Sequence, residues 1–159
     1  MTKRILPLLI AILMVSATLF ALVCTSSGDS TYIDLTTITP YDVSVGWGNL
    51  TLNKGLDGQS LDMANENGTT TVYEKGFTAH ASSSMSFKIE GLGVSMFTAY
   101  AGAEHSTNNQ TTTSTSIMFQ VYADDKLVYE TGVMSYNDPA IYIQAPIPAG
   151  ANVLKLVTD

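Results

Sequence analysis

The stretch Ser84-Met85-Ser86-Phe87-Lys88-Ile89-Glu90 alternates apolar and polar side chains without a break, and this period of two constrains the fold more than any other feature. Successive side chains on a strand point to opposite faces, so Met85, Phe87 and Ile89 share one face and the polar residues the other. Ile117-Met118-Phe119-Gln120-Val121-Tyr122 repeats the pattern, with Ile117, Phe119 and Val121 on one side. Residues 96–101, 127–130, 140–144 and 152–157 read as further short strands, separated by Gly91-Leu92-Gly93, Asp124-Asp125, Pro146, Pro148 and Gly150. Asp124-Asp125 suits a tight hairpin because Asp tolerates the left-handed backbone that such turns require. No stretch after Cys24 carries a sustained helical stripe. The expected fold is an all-β sandwich, each sheet burying one face and wetting the other. The polar segment His105-Ser106-Thr107-Asn108-Asn109-Gln110, running on to Ser116, is expected as an exposed loop at one end of it.

Residues 1–24 stand apart. Lys3 and Arg4 precede an almost wholly apolar run over residues 5–23, the n-region and h-region of a secretory signal. The run is also long enough to stay in the bilayer as an anchor helix, since about 20 apolar residues span the hydrocarbon. The two basic residues would keep the N-terminus cytoplasmic and send everything after Cys24 outward. Cys24 sits where a lipidated bacterial cysteine would, although Val23 is a poor residue for that cleavage site. Residues 25–31 (TSSGDST) read as a polar tether and residues 32–159 as a single domain. The expected location is therefore secreted or cell-surface. Contact with the membrane is limited to the N-terminal segment, through residues 5–23 or a lipid at Cys24. A lone cysteine makes no intrachain disulfide, so the domain must be held by its core.

Charge and motif content exclude several function classes. Without Lys3 and Arg4, five of the seven basic residues face fourteen acidic ones, a net charge of −9. That repels nucleic acid, and no basic cluster offsets it. Glycoside hydrolysis needs two carboxylates flanking one bond, one of them raised by burial, and the acidic residues here fall mostly in turns or on wet strand faces. Ser82-Ser83-Ser84 beside His80 lacks the elbow of a nucleophilic serine. No phosphate loop or dinucleotide fingerprint occurs, and the sequence is not expected to be an enzyme. Its two histidines and scattered carboxylates give no transition-metal spacing, and no cofactor is expected. Calcium held by carboxylate and backbone oxygens fits the composition but has no loop signature.

Five landmarks taken in order are more specific: Gly46-Trp47-Gly48, Leu56-Asp57-Gly58-Gln59-Ser60-Leu61, Tyr73-Glu74-Lys75-Gly76-Phe77-Thr78-Ala79-His80-Ala81, Phe97-Thr98-Ala99-Tyr100-Ala101-Gly102 and Phe119-Gln120-Val121-Tyr122-Ala123-Asp124-Asp125. Together, over residues 32–159, they resemble the NPCBM family, the "novel putative carbohydrate-binding module" associated with secreted glycoside hydrolases. The resemblance implies a galactose-binding-like jelly-roll sandwich whose end loops hold galactose or a related glycan without catalysis. Gly102-Ala103-Glu104 stands where the family usually has Gly-Val-Asp, and Asp124-Asp125 where it usually has Asp-Gly. Family members also continue past the equivalent of Leu156-Val157-Thr158-Asp159, which implies a truncated C-terminus or a last sheet position filled another way.

His80, Glu104, Trp47 and His105 are the candidate sugar contacts. An imidazole both donates and accepts, which suits a sugar hydroxyl, yet His80 in a turn could equally lock local backbone through two hydrogen bonds. Trp47 offers a rigid apolar platform for a pyranose face, while a tryptophan between glycines is more often a core anchor. Glu104 and His105 end a strand and open the polar loop, and Asp57 reads as a turn-former. The expected function is a non-catalytic carbohydrate-binding module, with a glycan and a glycoside hydrolase catalytic region as partners. The alternatives are a structural or adhesive surface domain without sugar binding, and the N-terminal fragment of a larger secreted glycoside hydrolase.

Overall fold

A computed structural model of the chain describes residues 21–26, 29–56, 58–105 and 115–159, with side chains described from Tyr32 onward. In chain order the strands are β1 (Ala21–Ser26), β2 (Asp29–Asp34), β3 (Tyr41–Ser44), β4 (Thr51–Leu52), β5 (Leu61–Ala64), β6 (Thr70–Tyr73), β7 (Phe77–Thr78), β8 (Ser83–Lys88), β9 (Val94–Ala101), β10 (Phe119–Ala123), β11 (Lys126–Glu130), β12 (Ile141–Pro146) and β13 (Val153–Thr158). A 3-10 turn over Leu35–Thr37 is the one helical element among the described residues. Two antiparallel sheets, ordered β12-β9-β1-β2 and β11-β10-β13-β8-β3, form the layers, with β4-β7 and β5-β6 as small two-stranded sheets. The all-β sandwich expected from the alternation is the fold observed.

The predicted inward face of β8 is the heart of the core. Met85, Phe87 and Ile89 are 7%, 0% and 1% exposed. Across the ladder Met85 lies opposite Leu156 and Phe87 opposite Leu154 of β13. From the other sheet Phe97 and Ala99 of β9, with their register partners Ala145 and Ile143 of β12, join the same cluster. Full burial of a side chain such as Phe87 contributes about 1.5–3 kcal/mol. Tyr100 points to the outer face of β9, where it packs on Leu61, Met63 and Tyr73 of the β5-β6 hairpin. Burial, with Tyr100 alongside, pushes the Tyr73 phenol above its ordinary value.

The Asp124-Asp125 hairpin forms as expected, both residues left-handed at φ 46° and 63°. The Asp124 carboxylate also accepts the backbone N–H groups of Asn152 (3.0 Å) and Val153 (2.9 Å), stitching the turn to the start of β13. At the other sheet edge β3 is fully exposed, its register with β8 breaks between Tyr41 and Ser44, and Asp42 between them is at φ 49°. The 3-10 turn is capped by the Asp34 carboxylate, which accepts from the Thr36 N–H (2.9 Å) and hydroxyl (2.6 Å) and pairs with Lys75. Burial acts to raise that carboxyl, but Lys75 and Thr36 outweigh it and hold it below its ordinary value.

Two expectations shift. Ala21–Ser26, read as the end of the apolar leader and the start of the tether, is β1, paired with β9 on one side and β2 on the other. The edge of β9 offers backbone groups that need partners, and this segment satisfies them, so residues 29–31 also belong to a strand rather than a tether. The rest of the expected signal or anchor helix, and Asp57, lie outside the described residues. Among the described residues no helix is long and apolar enough to cross a membrane. Ile117 forms an isolated bridge with Met134 and, as expected, shares a side with Phe119 and Val121, the three bordering one cavity. Met118 pairs its N–H and carbonyl with Asp159 (2.8 and 3.0 Å), which carries the β10–β13 register one residue further.

Candidate functional site

The loops after β3, β7, β9 and β11, with residues 115–117 before β10, gather around a cavity of about 650 Å³. Its rim begins with Gly46-Trp47-Gly48. A Cβ on Gly46 would lie 2.4 Å from the Ala81 carbonyl oxygen, so only glycine lets this loop lie against residues 80–82. The Gly46 N–H donates to the His80 carbonyl at 3.3 Å, completing the close approach. The adjoining side chain is thrown outward, and Trp47 is 74% exposed. The reading of Trp47 as a core anchor is thereby overturned: with Gly46 pressed on backbone, the indole has nowhere to go but solvent.

Trp47 is nonetheless fixed. Its ring meets the His80 imidazole edge to face, centroids 4.9 Å apart and planes at 70°. His80 is half-buried and lines the cavity. Among the described residues no hydrogen bond to its ring nitrogens occurs, and the contact of the ring there is with Trp47. It is a ring held by an aromatic neighbour.

Glu104 reaches the same cavity by another route. At Gly102 a Cβ would come within 3.2 Å of the Ala140 Cα and the Met63 Sδ, so glycine there lets the chain leaving β9 tuck under β5. Glu104 then pairs with Met63 in an isolated antiparallel bridge. Its half-buried carboxylate joins Trp47 and His80 among the lining residues. Three of the four candidates are thus brought together.

His105 is the exception. It is not among the residues lining the cavity. Its ring stacks flat on Tyr136, centroids 3.8 Å apart and planes within 6°, and Nε2 bonds the Tyr136 carbonyl. With its backbone N–H donating to the Asp62 carbonyl (2.8 Å), His105 ties the chain after β9 to the loop after β11. It positions Tyr136, which does line the cavity and which the sequence reading missed. The available signal was an aromatic residue inside a tight polar turn. The Ser135 N–H donates to the Asp138 carboxylate (2.6 Å) and the Asp138 N–H to the Ser135 carbonyl (3.2 Å), holding Tyr136 at the corner. Gln120, Thr115 and Ser116 add further polar groups to the walls. Among the described residues no cluster of three or more His, Cys, Asp or Glu side chains could hold a metal ion.

A β-sandwich with an exposed tryptophan, a histidine and a carboxylate at the mouth of an end-loop cavity defines a ligand-binding module. The chain belongs to the NPCBM/NEW2 domain family, whose sequence model matches residues 29–159. It is therefore a domain of the non-catalytic carbohydrate-binding-module type. Among solved structures it is similar to the CBM51 from Clostridium perfringens GH95 in complex with methyl-galactose. Identity is 31%, TM-score 0.68, and the match covers 79% of this chain and 84% of that one. The fold is shared with the CBM51-2 domain from Clostridium perfringens ZmpB solved with GlcNAc and INT domains, at 22% identity and TM-score 0.72, covering 86% of this chain and 31% of that one. A curated relative, the blood-group-substance endo-1,4-beta-galactosidase of Clostridium perfringens, is 29% identical over 104 residues. That match takes in 60% of this chain and 13% of the galactosidase.

Proposed function

We propose that this chain is the carbohydrate-binding module of an exported protein and holds that protein to galactose-type glycans at the Trp47–His80–Glu104 rim. The observation that carries the reading is the indole of Trp47, exposed yet braced by His80. Such a rigid apolar surface suits the C–H face of a pyranose, the stacking use of an amphipathic aromatic. His80 donates to or accepts from the sugar hydroxyls, and the Glu104 carboxylate accepts from them. The similar module solved with methyl-galactose supports galactose as the first sugar to try. A rim with one projecting aromatic gives weak, reversible binding, appropriate for holding a protein to a surface. In the full protein the module serves a glycoside hydrolase catalytic region, in line with the galactosidase relative. Lys3, Arg4 and the apolar run over residues 5–23 direct export, and either an anchor over residues 5–23 or cleavage before a lipidated Cys24 takes Ala21–Val23 out of the β1 pairing.

Isothermal titration of the protein with methyl β-galactoside, alongside a glycan array, tests the reading. Binding lost in Trp47→Ala and in His80→Ala, with circular dichroism unchanged, supports direct contact. A well-folded domain that captures no glycan on the array would instead assign it to a structural or adhesive role. Fractionation of cells expressing the full chain, with metabolic lipid labelling at Cys24, tests export and attachment.

A further inference from the structure

The cavity does not stop at its polar rim. Beyond Trp47, His80 and Glu104 its walls pass to Met85 of β8, Phe97 of β9 and Leu156 of β13, side chains from both main sheets. Protein interiors are packed as densely as organic crystals, with few voids larger than a water molecule. The part of the cavity that reaches these residues is therefore space the fold leaves between its layers. The cause lies along β9 and just after it. Ala99, Ala101 and Ala103 recur at alternate positions, 2%, 8% and 7% exposed, and all three line the cavity. Methyl groups stand where larger side chains would fill the gap. The one carboxylate among the described lining residues, Glu104, follows directly on the last of these alanines, at the rim. An interior of this composition favours apolar occupants over water, and the volume falls within the range of small-molecule sites.

We propose that the inner part of this cavity is an apolar subsite that takes an alkyl or aryl group. On the saccharide reading of the rim, on which this identification rests, that group is the aglycone of a glycoside whose sugar sits against Trp47 and His80. The ligand class is then an amphipathic glycoside rather than a free sugar. Each methylene moved from water into the subsite raises affinity about fourfold.

The test uses the protein labelled with 13C at the methionine methyls. Met63 and Met85 line the cavity, whereas Met96 and Met118 do not. Three probes are titrated: methyl β-galactoside, butyl β-galactoside and n-butanol. The expected result is butyl β-galactoside binding at least about tenfold more tightly than the methyl glycoside. It should shift the Met85 methyl resonance, while the methyl glycoside leaves that resonance in place and Met96 and Met118 report nothing. Equal affinity for the two glycosides, or a Met85 signal unmoved by the butyl glycoside, overturns the subsite. If methyl β-galactoside binds nowhere while butyl β-galactoside and n-butanol move Met85 alike, the apolar subsite stands and the saccharide reading of the rim fails.

Discussion

The indole of Trp47 and the imidazole of His80 meet edge to face at 4.9 Å, although 33 positions separate them in the chain. An edge-to-face aromatic pair contributes about 0.5–1.5 kcal/mol beyond its buried area. Since Trp47 is mostly exposed, Trp47→Ala should cost the fold no more than that and weaken galactoside binding at least about tenfold. Urea denaturation and isothermal titration on the same variant separate the two effects. A variant that loses several kcal/mol of stability would mean that the indole serves the core after all.

Gly46→Ala should act on both stability and site. The new methyl lies 2.4 Å from the Ala81 carbonyl oxygen, and backbone must move to admit it. Overpacking of this kind costs about 1–3 kcal/mol. Tryptophan fluorescence reports the site directly, because Trp47 is the only tryptophan in the chain. The expected outcome is a lower urea midpoint together with an altered emission spectrum. Unchanged values for both would remove the close approach as the device that projects Trp47.

Acid should weaken the fold through Asp34. Lys75 and Thr36, outweighing burial, hold its carboxyl below the ordinary aspartate value. A carboxyl depressed in the folded state stabilises the fold above its unfolded value, and that contribution is lost as pH falls through the folded value. Stability measured by urea denaturation should therefore decline as pH drops below about 4. Lys75→Met removes one cause of the depression and should flatten that decline. A Lys75→Met protein with the parent pH profile would show that the ion pair contributes nothing.

The Asp124-Asp125 turn makes opposite predictions for its two residues. Asp124→Ala strips the acceptor from the Asn152 and Val153 N–H groups and should destabilise by about 1.5–3 kcal/mol, the range for hydrogen bonds to a charged group. Asp125 makes no such bond to β13 and holds φ at 63°, a conformation glycine adopts without penalty. Asp125→Gly should be neutral or stabilise by up to about 1 kcal/mol. Thermal melts of the two variants with opposite signs are the expected result, and equal destabilisation would contradict it.

Much of the sandwich was legible because it follows from local pattern. Met85, Phe87 and Ile89 are buried where alternation puts them, and Asp124-Asp125 turns where its chemistry allows. The alternation held through Ile117, which borders the same cavity as Phe119 and Val121, but its bridge to Met134 was not legible because that partner comes from another loop. The landmarks around His80 were legible as a family resemblance, and the family match over residues 29–159 agrees. Whether Trp47 was core or platform was not legible, since the deciding contact is between Gly46 and a backbone oxygen 35 residues later. Tyr136 escaped notice for a similar reason. Its place depends on His105, and nothing near either residue announces the stack. The β1 pairing was hidden under an apolar run whose composition suits a membrane as well as a strand.

The break at Asp42 has a consequence for molecules crowded side by side. A long straight border strand invites a neighbouring copy to dock its own strand and begin a fibre. Here the outermost strand of the five-stranded sheet is four residues long and bent by a left-handed residue in its middle. Along that border adjacent copies find no continuous row of donors and acceptors to zip onto.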